Sequence, residues 1–164
     1  MTPTLVVNPA PPPVVDPVST GTDAGEPTVI DVSNLIDGFY DTVVIVTPPQ
    51  HGTAVVNGAA SRMRSQAGSG SVTITYTPNP GYFGPDSFTY AASGPGGTST
   101  PAAISVAVAA PAPVVVDDAA SVAANGSVSI PVTTNDTGPI DTIAVATAPS
   151  HGTATVSGLN VNYV

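Results

Sequence analysis

His51 and His151 are the residues whose surroundings come closest to a chemical motif. Each stands in the same short element, Pro-x-His-Gly-Thr, at residues 49–53 and 149–153. An imidazole that titrates near neutral pH can act as a general base or bind a metal ion. However, no Ser–His–Asp spacing recurs and no second His stands nearby, so we interpret each element as a structural turn. We expect the glycine of each turn to supply a backbone conformation that other residues cannot reach. The predicted turn residues are Pro49, His51, Gly52, Pro149, His151 and Gly152.

Four aspartates offer a weak calcium-binding pattern. They are Asp37, Asp41, Asp136 and Asp141. Calcium takes about six to eight hard oxygen ligands, usually from Asp residues at alternate positions. Gly-Phe-Tyr at 38–40 and Gly-Pro-Ile at 138–140 stand where further acids would be needed. We therefore expect these carboxylates to cap turns, and we predict no cofactor and no obligatory calcium.

The only two cations of the chain, Arg62 and Arg64, lie within residues 59–70. This segment follows Gly58 and has no counterpart after Gly158, so it is an insertion. We predict it as the candidate contact loop for a binding partner, with a solvated hairpin as the alternative.

Four aromatic residues, Tyr82, Phe83, Phe88 and Tyr90, lie close together in the sequence. They could form a face on which a sugar ring stacks. Phe88 and Tyr90 share one face of a predicted strand, however, and the chain has no Trp, so we expect a core position for this pair.

Composition excludes several classes of function. The net charge is −9, from eleven carboxylates and two cations, whereas a nucleic-acid binder needs basic residues to displace phosphate counterions. No apolar run approaches the ~20 residues of a membrane span, and no basic segment followed by an apolar core marks a signal peptide. The absence of Cys and Lys excludes disulfides and Lys isopeptide crosslinks. We therefore expect neither nucleic-acid binding nor membrane insertion, and we interpret the chain as part of a longer protein.

An internal repeat organises these residues. Residues 41–58 return at 141–158, one hundred positions later, with ten of the eighteen positions identical. A period of this length indicates tandem copies of a whole domain. Pro-rich segments precede both copies. The predicted organisation is a Pro-rich arm at 1–13, a first domain at 14–109, a linker at 110–113 and a second domain at 114–164.

The elements that position the repeat are predicted to be short strands. Val, Thr and Ser separated by frequent Pro and Gly favour strands and turns, and no segment has helical periodicity. The first-domain strands are expected near 14–17, 27–33, 42–48, 52–57, 71–77, 86–92 and 101–109. Seven such strands in one domain predict an all-β fold, with Ig-like antiparallel β-sandwich repeats in tandem.

The second repeat is predicted to be incomplete. Its strands are expected near 114–118, 127–133, 142–147, 152–157 and 159–164. Tyr163 corresponds to Tyr76, and the two strands that follow Tyr76 have no counterpart. Exposed apolar faces recruit strands, so we expect either self-association through this half-domain, with residues 4–7 adding a strand, or poor ordering.

The two turn elements, together with Thr-Tyr-Thr-Pro-Asn-Pro-Gly-Tyr-Phe-Gly at 75–84 and Asp-Ser-Phe-Thr-Tyr at 86–90, resemble a known family. It comprises the bacterial Ig-like, cadherin-like repeat modules of large secreted and surface adhesins. The resemblance covers nearly everything from Val14 onward. It implies an Ig-type sandwich in an extracellular, non-enzymatic, multi-domain protein.

The expected function is a structural or adhesive module, a stalk or cell-adhesion repeat at the bacterial surface or in a secreted protein. One alternative is a ligand-binding accessory module of a secreted enzyme. Another is a filament subunit whose incomplete domain is completed by strand exchange. An enzyme is not expected, because the sequence offers no acid, base and nucleophile together.

Overall fold

The computed structural model describes residues 10–58 and 71–164. The chain divides into two compact units, Met1–Ala109 and Ala110–Val164. Within the described ranges every regular element is a strand except a short 3-10 helix at Ser33–Leu35. No described helix is long and apolar enough to cross a membrane.

Ten strands build the part of the first unit that the structure describes. They are β1 (Val14–Val15), β2 (Val18–Asp23), β3 (Thr28–Asp31), β4 (Ile36–Asp37), β5 (Thr42–Thr47), β6 (Gly52–Asn57), β7 (Thr73–Pro78), β8 (Gly84–Gly94), β9 (Gly97–Thr98) and β10 (Ala102–Ala109). One sheet has the order β3-β7-β6. The larger sheet has the order β2-β10-β8-β5, with β9 paired to β8, and β1 pairs with β4.

The core of the first unit lies between these two sheets. Side chains alternate between the faces of a strand, so every second residue of β7, β8 and β10 points inward. The fully buried residues include Ile74, Tyr76, Phe88, Tyr90 and Ile104. Burying a large apolar side chain contributes roughly 1.5–3 kcal/mol. The all-β, Ig-like β-sandwich predicted from the sequence is confirmed, and Phe88 and Tyr90 occupy its core.

Three strands of the first unit were not predicted: β2, β4 and β9. Strand β2 runs parallel to β10, in register from Ile104 opposite Val18 to Ala109 opposite Asp23. Its residues alternate only between half-buried and exposed, because β2 lies at the edge of its sheet. Its polar sequence therefore lacks the apolar alternation that identifies an inner strand.

The second unit contains one three-stranded sheet. Its strands are β11 (Val128–Ile130), β12 (Ala154–Ser157) and β13 (Asn160–Tyr163), in the order β11-β13-β12. The pairing repeats that of β3, β7 and β6. Ile130 faces Val161 as Ile30 faces Ile74. Ala154 faces Tyr163 in the way that Ala54 faces Tyr76.

Two strands predicted for the second unit are absent. Residues 142–147 are not a strand, and in 114–118 only Val114 makes an isolated bridge, to Thr137. The counterpart of 142–147 is β5, which forms by pairing with β8. No described residue of the second unit lies in the place of β8, so 142–147 has no strand to pair with. All of residues 110–164 are described, and none of them is buried.

Candidate functional site

The carboxylate of Asp86 on β8 accepts four hydrogen bonds. Its Oδ2 accepts hydrogen bonds from the Tyr76 hydroxyl at 2.8 Å and the His51 amide at 2.9 Å. Its Oδ1 accepts from the amides of Gln50 at 3.2 Å and Ser87 at 2.8 Å. We call Asp86, Tyr76 and the amides of Gln50 and His51 the Asp86 latch. It ties strand β8 of the larger sheet to strand β7 of the smaller sheet and to the turn between β5 and β6.

The electrostatics of the latch follow from these bonds. Asp86 is only 7% exposed, and burial by itself raises the pKa of a carboxyl group. The bonds from the Tyr76 hydroxyl and from the amides of His51, Ser87 and Gln50 outweigh burial, so the pKa of Asp86 lies below its ordinary value. Burial, and then the bond to the Asp86 carboxylate, raises the pKa of the Tyr76 hydroxyl. At neutral pH the latch is thus a charged acceptor held by neutral donors.

The chemical capacity of the latch is structural. A carboxylate offers about four acceptor sites, and the four bonds to Asp86 use them. The latch engages the backbone of His51, while the imidazole stacks on Tyr82 with ring centroids 4.2 Å apart. The Tyr82 hydroxyl donates in turn to the Pro85 carbonyl at 2.6 Å. Among the described residues, this site places no acid, base and nucleophile together.

The glycine of the turn is required for a reason that differs from the predicted one. We expected Gly52 to adopt a conformation closed to other residues, yet its φ is not positive. A Cβ at Gly52 would instead lie 2.6 Å from the ring atom Cε2 of Tyr76. At Gly152 both reasons hold, because φ is +120° and a Cβ would lie 2.6 Å from the Tyr163 hydroxyl. Because glycine has no side chain, the tyrosine ring can pack directly against the turn.

The second turn repeats part of this geometry. The Tyr163 hydroxyl donates to the carbonyl of His151. In the first unit the equivalent contact, from Tyr76 to the His51 carbonyl, is long at 3.4 Å, because the hydroxyl proton points to Asp86. No described carboxylate of the second unit takes the place of Asp86 at Tyr163.

The four aspartates considered as calcium ligands are not part of the latch. The Asp136 carboxylate accepts from the amide of Val116 at 2.7 Å, which is a turn-capping bond. Asp37 is in β4 opposite Val14, and Asp41 donates its amide to the Ser93 carbonyl. Within the described ranges no group of three or more His, Cys, Asp or Glu residues could hold a metal ion. Asp141 therefore joins no such group.

The remaining residues singled out in the sequence are not part of the latch. Arg62 and Arg64, and the arm at residues 4–7, lie outside the described residues. Of the aromatic residues beside the latch, Phe83 is 48% exposed and Tyr82 is half-buried against the core. A groove of about 700 Å³ lies beside the latch, and the hydroxyl-bearing residues Ser19, Thr47, Ser87 and Ser105 are among those that line it.

Asp86 was not recognised as a site residue from the sequence. Its bonds join it to residues 35 and 36 positions away, and nothing local in the sequence marks them. One signal was present: a single acid stands in the same strand as Phe88 and Tyr90, two positions before the first of them, so that all three share one face. An acid in a strand needs a compensating partner if it is buried, and the buried tyrosine of β7 supplies it.

Comparison with known proteins identifies the family to which this fold belongs. A family model described as a bacterial Ig domain matches residues 8–107, which is more than half of the chain. No curated protein matches the sequence. Domains of this family are generally non-catalytic and usually occur in extracellular or surface proteins. The chain belongs to the bacterial Ig domain family.

Proposed function

We propose that the chain is a load-bearing structural module, a stalk or cell-adhesion repeat in a bacterial extracellular or surface protein of several domains. Family membership supports the location and the non-enzymatic role. The observation that carries the mechanical role is the parallel pairing of β2 with β10.

This pairing joins β2, the first strand of more than two residues in the first unit, to β10, the last strand of that unit. Tension between the chain ends acts on Val18 at the start of β2 and on Ala109 at the end of β10. Because the strands are parallel and in register, these two residues lie at opposite ends of the paired segment. Tension therefore slides one strand along the other and loads all the backbone bonds together. The shorter pairing of β1 with β4, two residues long, lies outside this segment and gives way first.

The repeat also supports a stalk. Sheet β11-β13-β12 has the register of β3-β7-β6. Pro111 and Pro113 lie at the start of the second unit, and proline stiffens a connecting segment. We infer tandem copies of one module, with boundaries at 14–109 and 114–164. The first unit needs neither a disulfide nor, in this proposal, a metal ion.

Pulling in two directions tests the mechanical role. Because the chain has no Cys, two introduced Cys residues are the only thiols to which the pulling device can be attached. The variant Pro17→Cys/Ala110→Cys is tethered so that force shears β2 against β10. The matched control, Asp23→Cys/Ala110→Cys, pulls the same ends of both strands and separates their bonds one by one. We expect a severalfold higher rupture force in the shearing geometry. Equal forces would show that this pairing bears no load.

A ligand-binding accessory module of a secreted enzyme is the second candidate. The groove beside the latch favours it, because hydroxyl groups line the outer surface of the larger sheet there. Saturable binding of a soluble oligosaccharide that is lost in Ser105→Arg, but kept in Ser129→Arg in the second unit, would support this function over a purely mechanical one.

A further inference from the structure

Residues 10–16 lie against the first unit just before strand β2, and we call them the strap. Strand β1 within the strap pairs with β4 over two residues. The Asp16 amide donates to the Leu35 carbonyl at 2.9 Å, and the Tyr90 hydroxyl donates to the Asp16 carbonyl at 2.7 Å. Backbone pairing and these two bonds therefore hold the end of the strap that is nearer to β2.

The proline end of the strap is held by close packing. Residues 11–13 are all proline, which has no N–H group, so they donate no backbone bond. They pack against glycine instead. A Cβ at Gly38 would lie 3.2 Å from the Cα of Pro13, and a Cβ at Gly96 would collide with the carbonyl of Pro11. This end of the strap thus depends on surfaces that carry no side chain.

The second unit has the same arrangement one hundred positions later. Residues 110–115 are identical to the first six residues of the strap at five of six positions. Val114 exchanges two backbone bonds with Thr137, at 2.8 and 3.0 Å, where β1 pairs with β4 in the first unit. A Cβ at Gly138 would lie 3.0 Å from the Cα of Pro113. The segment that leads into each unit is therefore held against that unit in the same way.

The strap is attached more weakly than the strand that follows it. It pairs over two residues, whereas β2 pairs with β10 over six, and β1 and β2 belong to different sheets. Of its residues, only Pro13 and Val15 are buried. Pro17 then interrupts the backbone donors between β1 and β2. The strap can therefore separate from the unit without opening the pairing of β2 with β10.

We propose that the strap is a releasable connector, which leaves the first unit as one piece under tension and returns when the tension falls. Its consecutive prolines keep the released segment extended, so little conformational entropy is lost when it docks again. Seven residues at ~3.3–3.6 Å each release up to roughly 25 Å of chain while the sandwich stays folded. The repeated packing at Gly138 assigns residues 110–115 the same role. This inference rests on the proposed stalk function and adds a reserve of length to it.

Hydrogen exchange on the full chain tests release without applied force. We expect the Asp16 amide to exchange at least about tenfold faster than the amides of β10, because the strap opens locally. Gly38→Ala should speed exchange at Asp16 by about tenfold again, since φ is +100° and the new Cβ would press on Pro13. Gly25→Ala is the matched control: φ is +83°, but no described atom beyond its chain neighbours lies within 4 Å of its Cβ.

A disulfide gives a second variant that does not depend on how Gly38→Ala folds. Val14→Cys/Asp37→Cys joins residues that lie opposite each other in β1 and β4. Its oxidised form should slow exchange at Asp16 by about tenfold or more, and reduction should restore the original rate. Equal rates in the two forms would mean that the strap does not open separately, and would overturn the proposal.

Pulling the chain from its two termini tests release under load. We expect a reversible extension at low force, before the main rupture, and Gly38→Ala should lose up to roughly 25 Å of it while Gly25→Ala keeps it. The proposal is overturned if Gly38→Ala and Gly25→Ala behave alike in extension or in exchange at Asp16. The stalk function is tested separately, because the shearing variant is attached at residue 17, beyond the strap.

Discussion

At the scale of single residues, the Asp86 latch brings four hydrogen bonds onto one buried carboxylate. Asp86→Asn keeps the size of the side chain but removes its charge and turns its NH₂ group toward neighbouring N–H donors. We expect the free energy of unfolding to fall by about 2–4 kcal/mol, since a buried acceptor of several charge-assisted bonds is lost. Urea denaturation followed by tyrosine fluorescence measures this. Tyr76→Phe removes one donor and should cost about 1–2 kcal/mol; a larger loss there than in Asp86→Asn would contradict the account.

The same residue predicts how stability depends on pH. The folded-state pKa of Asp86 lies below the ordinary value of 3.8, so its stabilisation is fully present above that pH. It is lost as the pH falls from about 4 through the lower folded-state pKa. The difference in unfolding free energy between the unaltered chain and Asp86→Asn should therefore shrink across that acid range and stay constant from pH 5 to 8. A difference that is unchanged in acid would mean that the charge of Asp86 contributes nothing.

At the scale of elements, strand β8 carries both the latch and the centre of the core. Phe88 is 1% exposed and stacks on Tyr76. Phe88→Ala should lower the free energy of unfolding by about 3–5 kcal/mol, because it leaves a cavity between the sheets. Phe83→Ala is the control, since Phe83 is 48% exposed, and we expect a much smaller loss. Equal losses in the two variants would show that the two rings stabilise the fold equally despite their different burial, which would contradict this prediction.

The sequence predicted elements whose evidence is local, and missed those that depend on a partner. Apolar alternation identified β7, β8 and β10, because each presents one face to the core. Strand β2 was missed because its order comes from backbone pairing with β10 at a sheet edge. Residues 142–147 were wrongly predicted as a strand, because a suitable sequence forms no strand without a neighbour. The bonds of Asp86 were missed for the same reason: they join residues distant in sequence.

At the scale of the whole molecule, we expect the fold to be stable without a metal ion. The Asp136 carboxylate is engaged by the Val116 amide, and no described acidic residues group as calcium ligands. Calcium and EDTA should therefore leave the melting temperature unchanged, both in the unaltered chain and in Asp41→Ala and Asp136→Ala. A calcium-dependent rise in the melting temperature that either substitution removes would reassign that carboxylate to a metal site. Differential scanning calorimetry in the two buffers makes the comparison.

In the proposed function, the pairing of β2 with β10 bears the load between the ends of the first unit. The most direct measurement is the length of chain released in the strongest rupture when the protein is pulled from its two termini. If this pairing is the barrier, the segment from Val18 to Ala109 is released in one step, and at ~3.3–3.6 Å per residue this is roughly 300 Å. A strongest rupture that releases a clearly shorter length would place the barrier inside the sandwich and contradict the claim.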